Sequence, residues 1–212
     1  MGVHHYSASV SARYAQLGDS TTASEHWYVL HGYRQLAPHF IKKFKSIESP
    51  TRCITAPEGP HRFYIEGYSG RVGASWMTKE DRETDISNYC SLLDQLHAHL
   101  NFSNDVKQVL LGFSQGAATA VRWFCLGQTI FDALVLWAGS FPKDMDLGLL
   151  KECLEDSPLV LVVGSKDEFI KSEHINDVKV LLDGAGIAYS FVHFDGGHTI
   201  QDLALKEAIK YI

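Results

Sequence analysis

Val109-Leu110-Leu111-Gly112-Phe113-Ser114-Gln115-Gly116-Ala117-Ala118 runs from a short apolar segment through Gly-x-Ser-x-Gly into an Ala-rich, helix-forming stretch. The apolar run reads as a strand buried on both faces. A strand, a tight turn and a helix in immediate succession are the setting in which this pentapeptide forms a nucleophile elbow. Such a turn lifts Ser114 clear of the sheet and crowds the backbone on either side. Glycines at 112 and 116 answer that crowding because neither carries a Cβ. The free N–H groups and positive dipole end of the following helix then lie beside Ser114, where a developing oxyanion would be stabilised.

Outward from the elbow, Val106–Phe113 is the predicted strand and Gln115–Leu126 the predicted helix, ended by Gly127. Three more apolar runs, Ala133–Ala138, Pro158–Val163 and Ile187–Phe194, read as strands. Helices are predicted over Leu147–Leu154, over His174–Leu182 with Gly184 as its stop, and over Ile200–Tyr211. Toward the N-terminus, His26–Leu30 is a strand ending in His31-Gly32-Tyr33. Pro38–Ile47 is a helix opened by its proline, and Arg52–Ala56 is a short strand. Tyr6, Ala8, Val10, Ala12 and Tyr14 alternate with polar or small residues, which predicts a half-exposed antiparallel strand or hairpin. Thr78-x-x-Asp81 resembles a capping box, before Ile86, Tyr89, Cys90, Leu93, Leu96 and Leu100 at helical spacing. From Pro57 to Met77 periodicity fails. That segment holds Phe63, Tyr64, Tyr68 and Trp76 among glycines, and its aromatic density argues for a folded wall rather than disorder. Buried runs alternating with helices imply an α/β fold: a mostly parallel sheet with helices on both faces and an antiparallel N-terminal edge. Residues 1–212 are expected to form a single domain. The stretch between Gly139 and Pro158 is too short for a large cap domain.

Bulk composition narrows the function classes. The chain has 45% hydrophobic and 21% charged residues and a net charge of −6, so no basic footprint points to nucleic acid or an anionic membrane. No apolar run approaches the ~18 residues of a membrane span. Met1 to Tyr6 lack the basic and apolar regions of a signal peptide, and a cytoplasmic location is expected. Cys53, Cys90, Cys125 and Cys153 have no metal-ligand spacing and read as reduced, buried thiols. A homodimer is left open.

A serine hydroxyl becomes a useful nucleophile only when a base takes its proton and a third group orients that base. In an α/β sheet those partners must come from loops at the carboxyl ends of strands. After Leu159–Val163 comes Gly164-Ser165-Lys166-Asp167-Glu168; after Ile187–Phe194 comes Asp195-Gly196-Gly197-His198. Ser114, Asp167 and His198 thus follow the chain order expected of this elbow. Taken alone, Asp167 reads as a helix cap and His198 as a surface residue; it is the three together, each past a buried strand, that point to a triad. Glu168, Asp144 and Asp146 are rival acids, Asp144 ranking second. His193 reads as a core or edge histidine, and His97 and His99 face apart on a helix. The oxyanion donors are expected to be the N–H groups of Gln115 and, within one residue, Tyr33. Trp76, Tyr33, Phe141 and Phe169 are candidates for the substrate-binding wall, ordinary core being the alternative for each aromatic.

With these residues in place the chain resembles the α/β-hydrolase superfamily over nearly its whole length. More narrowly it resembles the carboxylesterase/phospholipase branch that includes acyl-protein thioesterases. Leu30-His31-Gly32, Gly112-Phe113-Ser114-Gln115-Gly116-Ala117-Ala118, Gly164-Ser165-Lys166-Asp167 and Gly196-Gly197-His198 carry the likeness. Phe-Ser-Gln inside the elbow is more specific than the pentapeptide alone. The resemblance implies hydrolysis of carboxylic esters, with thioesters and lysophospholipids as further substrates, through an acyl-serine and without metal or organic cofactor; with no large cap, the site is expected to be open to small or medium substrates. An acyltransferase or peptidase would use the same triad. A non-catalytic binding module would be marked by a missing triad residue, and all three are present.

Overall fold

Along an extended strand successive side chains face opposite ways, so a run that is apolar throughout needs cover on both sides. The computed structural model, which describes residues 2–139 and 141–212, provides it. In chain order the elements are β1 (Tyr14–Leu17), β2 (Glu25–Leu30), α1 (Ala37–Phe40) continued by a 3-10 segment (Ile41–Ile47), and β3 (Arg52–Pro57). A hairpin of β4 (His61–Tyr64) and β5 (Val72–Ser75) and the helix α2 (Arg82–Leu100) come next. β6 (Lys107–Phe113), α3 (Gln115–Leu126), β7 (Ala133–Trp137), α4 (Leu147–Cys153) and β8 (Leu159–Gly164) follow. The chain closes with α5 (Ser172–Ala185), β9 (Ser190–Phe194) and α6 (Asp202–Ala208).

Seven strands form one sheet in the order β1-β3-β2-β6-β7-β8-β9. Every pairing is parallel except β1 with β3. Trp27, Val29, Val109, Leu111, Val135 and Val162 point to one face, packed under α1, the 3-10 segment and α6. Tyr28, Leu30, Leu110, Leu134 and Leu136 point to the other, under α2, α3 and α4. Each fully buried large side chain contributes roughly 1.5–3 kcal/mol. The elbow strand β6 lies at the centre, and its carboxyl end is level with those of its neighbours: Leu30 pairs with Gly112, and Phe113 with Trp137. The loops after β2, β6, β7, β8 and β9 therefore meet at one edge. The sheet is thus mostly parallel, covered on both faces, with an antiparallel N-terminal edge.

Four local expectations are corrected. The N-terminal strand forms only at Tyr14–Leu17, because its partner β3 stops at Pro57. One more bond joins the Glu58 N–H to the Arg13 carbonyl (3.1 Å), and residues 2–13 lie outside any strand. The aperiodic segment from Pro57 to Met77 contains the β4–β5 hairpin, too short and glycine-rich to announce itself by alternation. The capping box does not form: Asp81 is left-handed (φ 49°), and its carboxylate meets His5 at 2.7 Å. α5 runs through Gly184 and ends at Gly186 (φ 64°), the glycine that takes up the left-handed turn.

One buried histidine weakens the fold in acid. His26 lies between Gln108 Oε1 (3.0 Å) and Thr55 Oγ1 (2.8 Å), stacked on Phe102 at 3.9 Å. Burial pushes its pKa down from 6.5 to about 4, with His97 adding a smaller push in the same direction. Between those values the unfolded chain binds a proton that the fold refuses, so stability falls as pH drops from about 6.5 toward 4. Urea unfolding at pH 7 and pH 4.5 should show a loss that His26→Gln reduces by about 2–3 kcal/mol. An unchanged loss in the variant would remove His26 from the account.

Candidate active site

The elbow is built from close contacts. A Cβ on Gly112 would collide with the Gly116 carbonyl and sit 2.6 Å from Ala117 Cα; one on Gly116 would come within 2.7 Å of the His31 carbonyl oxygen. With both glycines in place the turn closes tightly enough to hold Ser114 at φ 56°, ψ −118°. That is a region a side chain adopts only under constraint. The neighbouring strand ends in a second such residue, Ala138, at φ 47°, held by its N–H to the Val162 carbonyl (2.8 Å). Gly139 then lies directly against the elbow, where a Cβ would be 2.7 Å from the Ser114 carbonyl oxygen.

The loops after β8 and β9 reach the same point. His198 Nε2 is 2.9 Å from Ser114 Oγ, and His198 Nδ1 is 2.8 Å from Asp167 Oδ2. The other carboxylate oxygen of Asp167 accepts the N–H groups of Phe169 and Ile170, both at 2.9 Å. The acid is thus a loop cap and an imidazole orienter at once, with its side chain fully buried. The imidazole is wedged between the Phe113 ring (4.9 Å) and the Phe169 ring (4.8 Å). With Nδ1–H directed at the carboxylate, Nε2 has its lone pair toward the serine.

The loop after β2 passes directly over Ser114: a Cβ on Gly32 would lie 3.0 Å from the serine Cβ. Its shape is held from several sides. The buried His31 ring accepts the Gly59 N–H at Nε2 (2.9 Å), so Nδ1 carries the hydrogen and donates to the Gly32 carbonyl (2.8 Å). Burial holds the His31 pKa below its ordinary value, which keeps that neutral form. The Gly32 N–H is taken by Gln35 Oε1 (2.9 Å), and the Arg34 N–H by the Ala74 carbonyl (2.9 Å). Between them the Tyr33 N–H has no acceptor among the described residues, and neither has that of Gln115, the first residue of α3.

Of the four expected wall residues, Trp76 is corrected. Its side chain is fully buried; the indole donates to the His31 carbonyl (2.8 Å) and the ring packs 5.0 Å from the His31 ring. It braces the loop over Ser114 from beneath and has no surface to offer a substrate. Tyr33 is 53% exposed and stacks on Phe63, and Phe169 is 64% exposed beside His198. Phe141 is buried, two residues beyond Gly139.

The rival acids are otherwise engaged. Asp144 pairs with Arg122 (2.8 Å) and Arg82 (2.6 Å), and the Arg122 hydrogen bond holds its carboxyl well below the usual carboxylate range. Asp146 caps α4 by accepting the Gly148 N–H at 2.7 Å. Glu168 is exposed, and His193 is exposed on the edge strand β9. Sequence reading missed the Gln115 side chain. Its amide donates to the Met77 carbonyl (3.0 Å) and Ser75 Oγ (3.0 Å) and accepts the Trp76 N–H (3.2 Å). The glutamine in Phe-Ser-Gln was the available signal, although its partners are some forty residues away in sequence.

A family model described as serine hydrolase (FSH1) matches residues 21–205. No curated protein sequence matches the chain. Among solved structures, acyl-protein thioesterase 2 of Zea mays superposes with a TM-score of 0.73 at 19% identity, covering 95% of this chain and 97% of that one. Esterase PE8 superposes at 0.70 with 23% identity, covering 95% and 98%. The Bacillus cereus carboxylesterase does so at 0.69 with 16% identity, covering 94% and 93%. At those identities the structures speak for the α/β-hydrolase fold, and the family model speaks for the chemistry: the chain belongs to the serine hydrolase (FSH1) family.

Proposed function

We propose that the chain, as one α/β-hydrolase domain, hydrolyses carboxylic esters through an acyl-serine formed on Ser114. The observation that carries this reading is the unbroken hydrogen-bonded series from Asp167 through His198 to Ser114 Oγ. His198 Nε2 takes the hydroxyl proton as Oγ bonds to the acyl carbon. The carbonyl oxygen becomes an oxyanion held by the Gln115 and Tyr33 N–H groups. His198 then delivers the proton to the leaving alcohol as the C–O bond breaks. Water repeats the sequence: His198 takes its proton, hydroxide adds to the acyl carbon, and the carboxylic acid departs as Oγ regains the proton. Asp167 stays ionised and stabilises the transient imidazolium. The solved esterases and thioesterase are consistent with this reading through their fold. The test is turnover of p-nitrophenyl esters by the wild type beside Ser114→Ala; turnover that survives the substitution would overturn the assignment.

The bracing of the oxyanion loop has a measurable counterpart. Trp76→Phe removes the indole bond to the His31 carbonyl while leaving the core largely filled. A shift of the Tyr33 N–H by a fraction of an ångström should lower kcat on the order of tenfold. KM should stay within about twofold, because the loss falls on the transition state. A fall in binding with kcat intact would return Trp76 to the substrate wall.

A further inference from the structure

A cavity of about 580 Å³ opens beside the elbow, between the carboxyl ends of β7 and β8 and the helix α5. It starts at Gly139, the residue against the Ser114 carbonyl, and runs past Phe141, Leu161, Ile170, Ile175 and Val178. The Ile170 N–H is bound to Asp167, so two residues of the lining, Gly139 and Ile170, touch Ser114 and Asp167 through the backbone. The charged or titratable groups on its lining, Lys143, His174 and Asp177, are solvent-exposed, which leaves an apolar interior. Its size falls within the ~300–1,000 Å³ of small-molecule sites. Another recess, about 540 Å³, is lined by α2, Leu126 and Gln128. It lies at the far end of α3 from Ser114, roughly 18 Å away at 1.5 Å per residue.

We infer that this cavity is the acyl subsite and that the enzyme prefers esters of medium-length aliphatic acids to those of short ones. The inference rests on the ester-hydrolase reading above. Four groups surround the tetrahedral carbon. One is Ser114 Oγ, and the second is the oxyanion, toward the Tyr33 and Gln115 N–H groups. The third is the leaving group, which must face His198 Nε2 to receive its proton and so departs past the exposed Phe169. The acyl chain takes the remaining direction, toward Gly139 and the cavity. At roughly 30 Å³ per water-sized group, a chain of about ten carbons fills about half of the space.

The experiment measures kcat/KM for p-nitrophenyl acetate, butyrate, hexanoate, octanoate and decanoate with the wild type, Ile175→Trp and Val178→Phe. Both substitutions place a larger ring on the cavity side of α5, where each residue is half-buried. For the wild type kcat/KM should rise up to about fourfold per methylene as the chain lengthens. In either variant the octanoate-to-acetate ratio should fall at least tenfold. Inhibition of the wild type by n-alkylboronic acids, which add to the serine oxygen, should strengthen over the same lengths and needs no folded variant. Ester turnover indifferent to chain length, or a ratio unmoved in a folded variant, would overturn the subsite while leaving the hydrolase assignment standing. A wild type that cleaves no ester at any length would remove both.

Discussion

Ser114→Ala is expected to lower kcat on short p-nitrophenyl esters by at least about 10³-fold and up to about 10⁶-fold, with the protein still folded. The size of the effect follows from what is lost. Without Oγ there is no atom to form the acyl-enzyme, and only water positioned near His198 and the oxyanion donors remains. The fold should tolerate the change because, among the described residues, Oγ bonds only to His198. Alanine keeps the Cβ, so the left-handed backbone at φ 56° is no more strained than before. His198 is partly open to solvent, and water can replace the lost partner. Thermal unfolding should therefore shift by only a few degrees. A variant within tenfold of the wild type would move catalysis to another residue. An organophosphonate that adds its mass to the wild type and not to the variant would locate the nucleophile independently.

Asp167→Asn should cost on the order of 10⁴-fold in kcat, a larger effect than its single-atom change suggests. The two backbone N–H groups of Phe169 and Ile170 donate to Oδ1, so that position must remain an acceptor. In asparagine the amide oxygen takes it, and the NH2 is forced toward His198 Nδ1. The imidazole must then move its hydrogen to Nε2, which faces Ser114 Oγ and can no longer accept its proton. The same bonds that cap the loop thus impose the wrong tautomer. Substrate binding should change little, because Asp167 is buried away from the substrate. Rate and affinity measured together check the argument; a loss confined to KM would contradict it.

Much of this was legible in the sequence, and the reasons divide cleanly. Apolar runs reach from Trp27 to Leu30 and from Val109 to Phe113 because parallel strands are buried on both faces, so they stand out. Ser114, Asp167 and His198 stand out because the elbow's geometry restricts their partners to strand ends, leaving few candidates. Packing across long sequence separations left no comparable trace. Nothing local distinguishes a tryptophan that braces a loop from one that lines a pocket: Trp76 meets the His31 carbonyl across forty-five positions. The β4–β5 hairpin pairs four residues on each side around a glycine-bearing turn, too few for a period to emerge. The competition between glycines at 184 and 186 was decided by which one ends in the left-handed region, a tertiary outcome. The cavity beside Gly139 belongs to no single segment, so no pattern in one could announce it.

The backbone strain at the ends of β6 and β7 has a bearing on how this enzyme can evolve. Ser114 and Ala138, neither of them glycine, both sit at positive φ. Each such residue costs about 1–3 kcal/mol relative to ordinary backbone, against a total stability of about 5–15 kcal/mol for a chain of this kind. The reactive edge therefore carries a share of the chain's backbone strain. Lineages selected for heat tolerance would find their easiest gains there, by relaxing the turn that presents the nucleophile, and would surrender turnover as they did so. Lineages selected for speed must keep the strain and recover robustness elsewhere, in the parts of the two core layers away from the carboxyl ends of the strands.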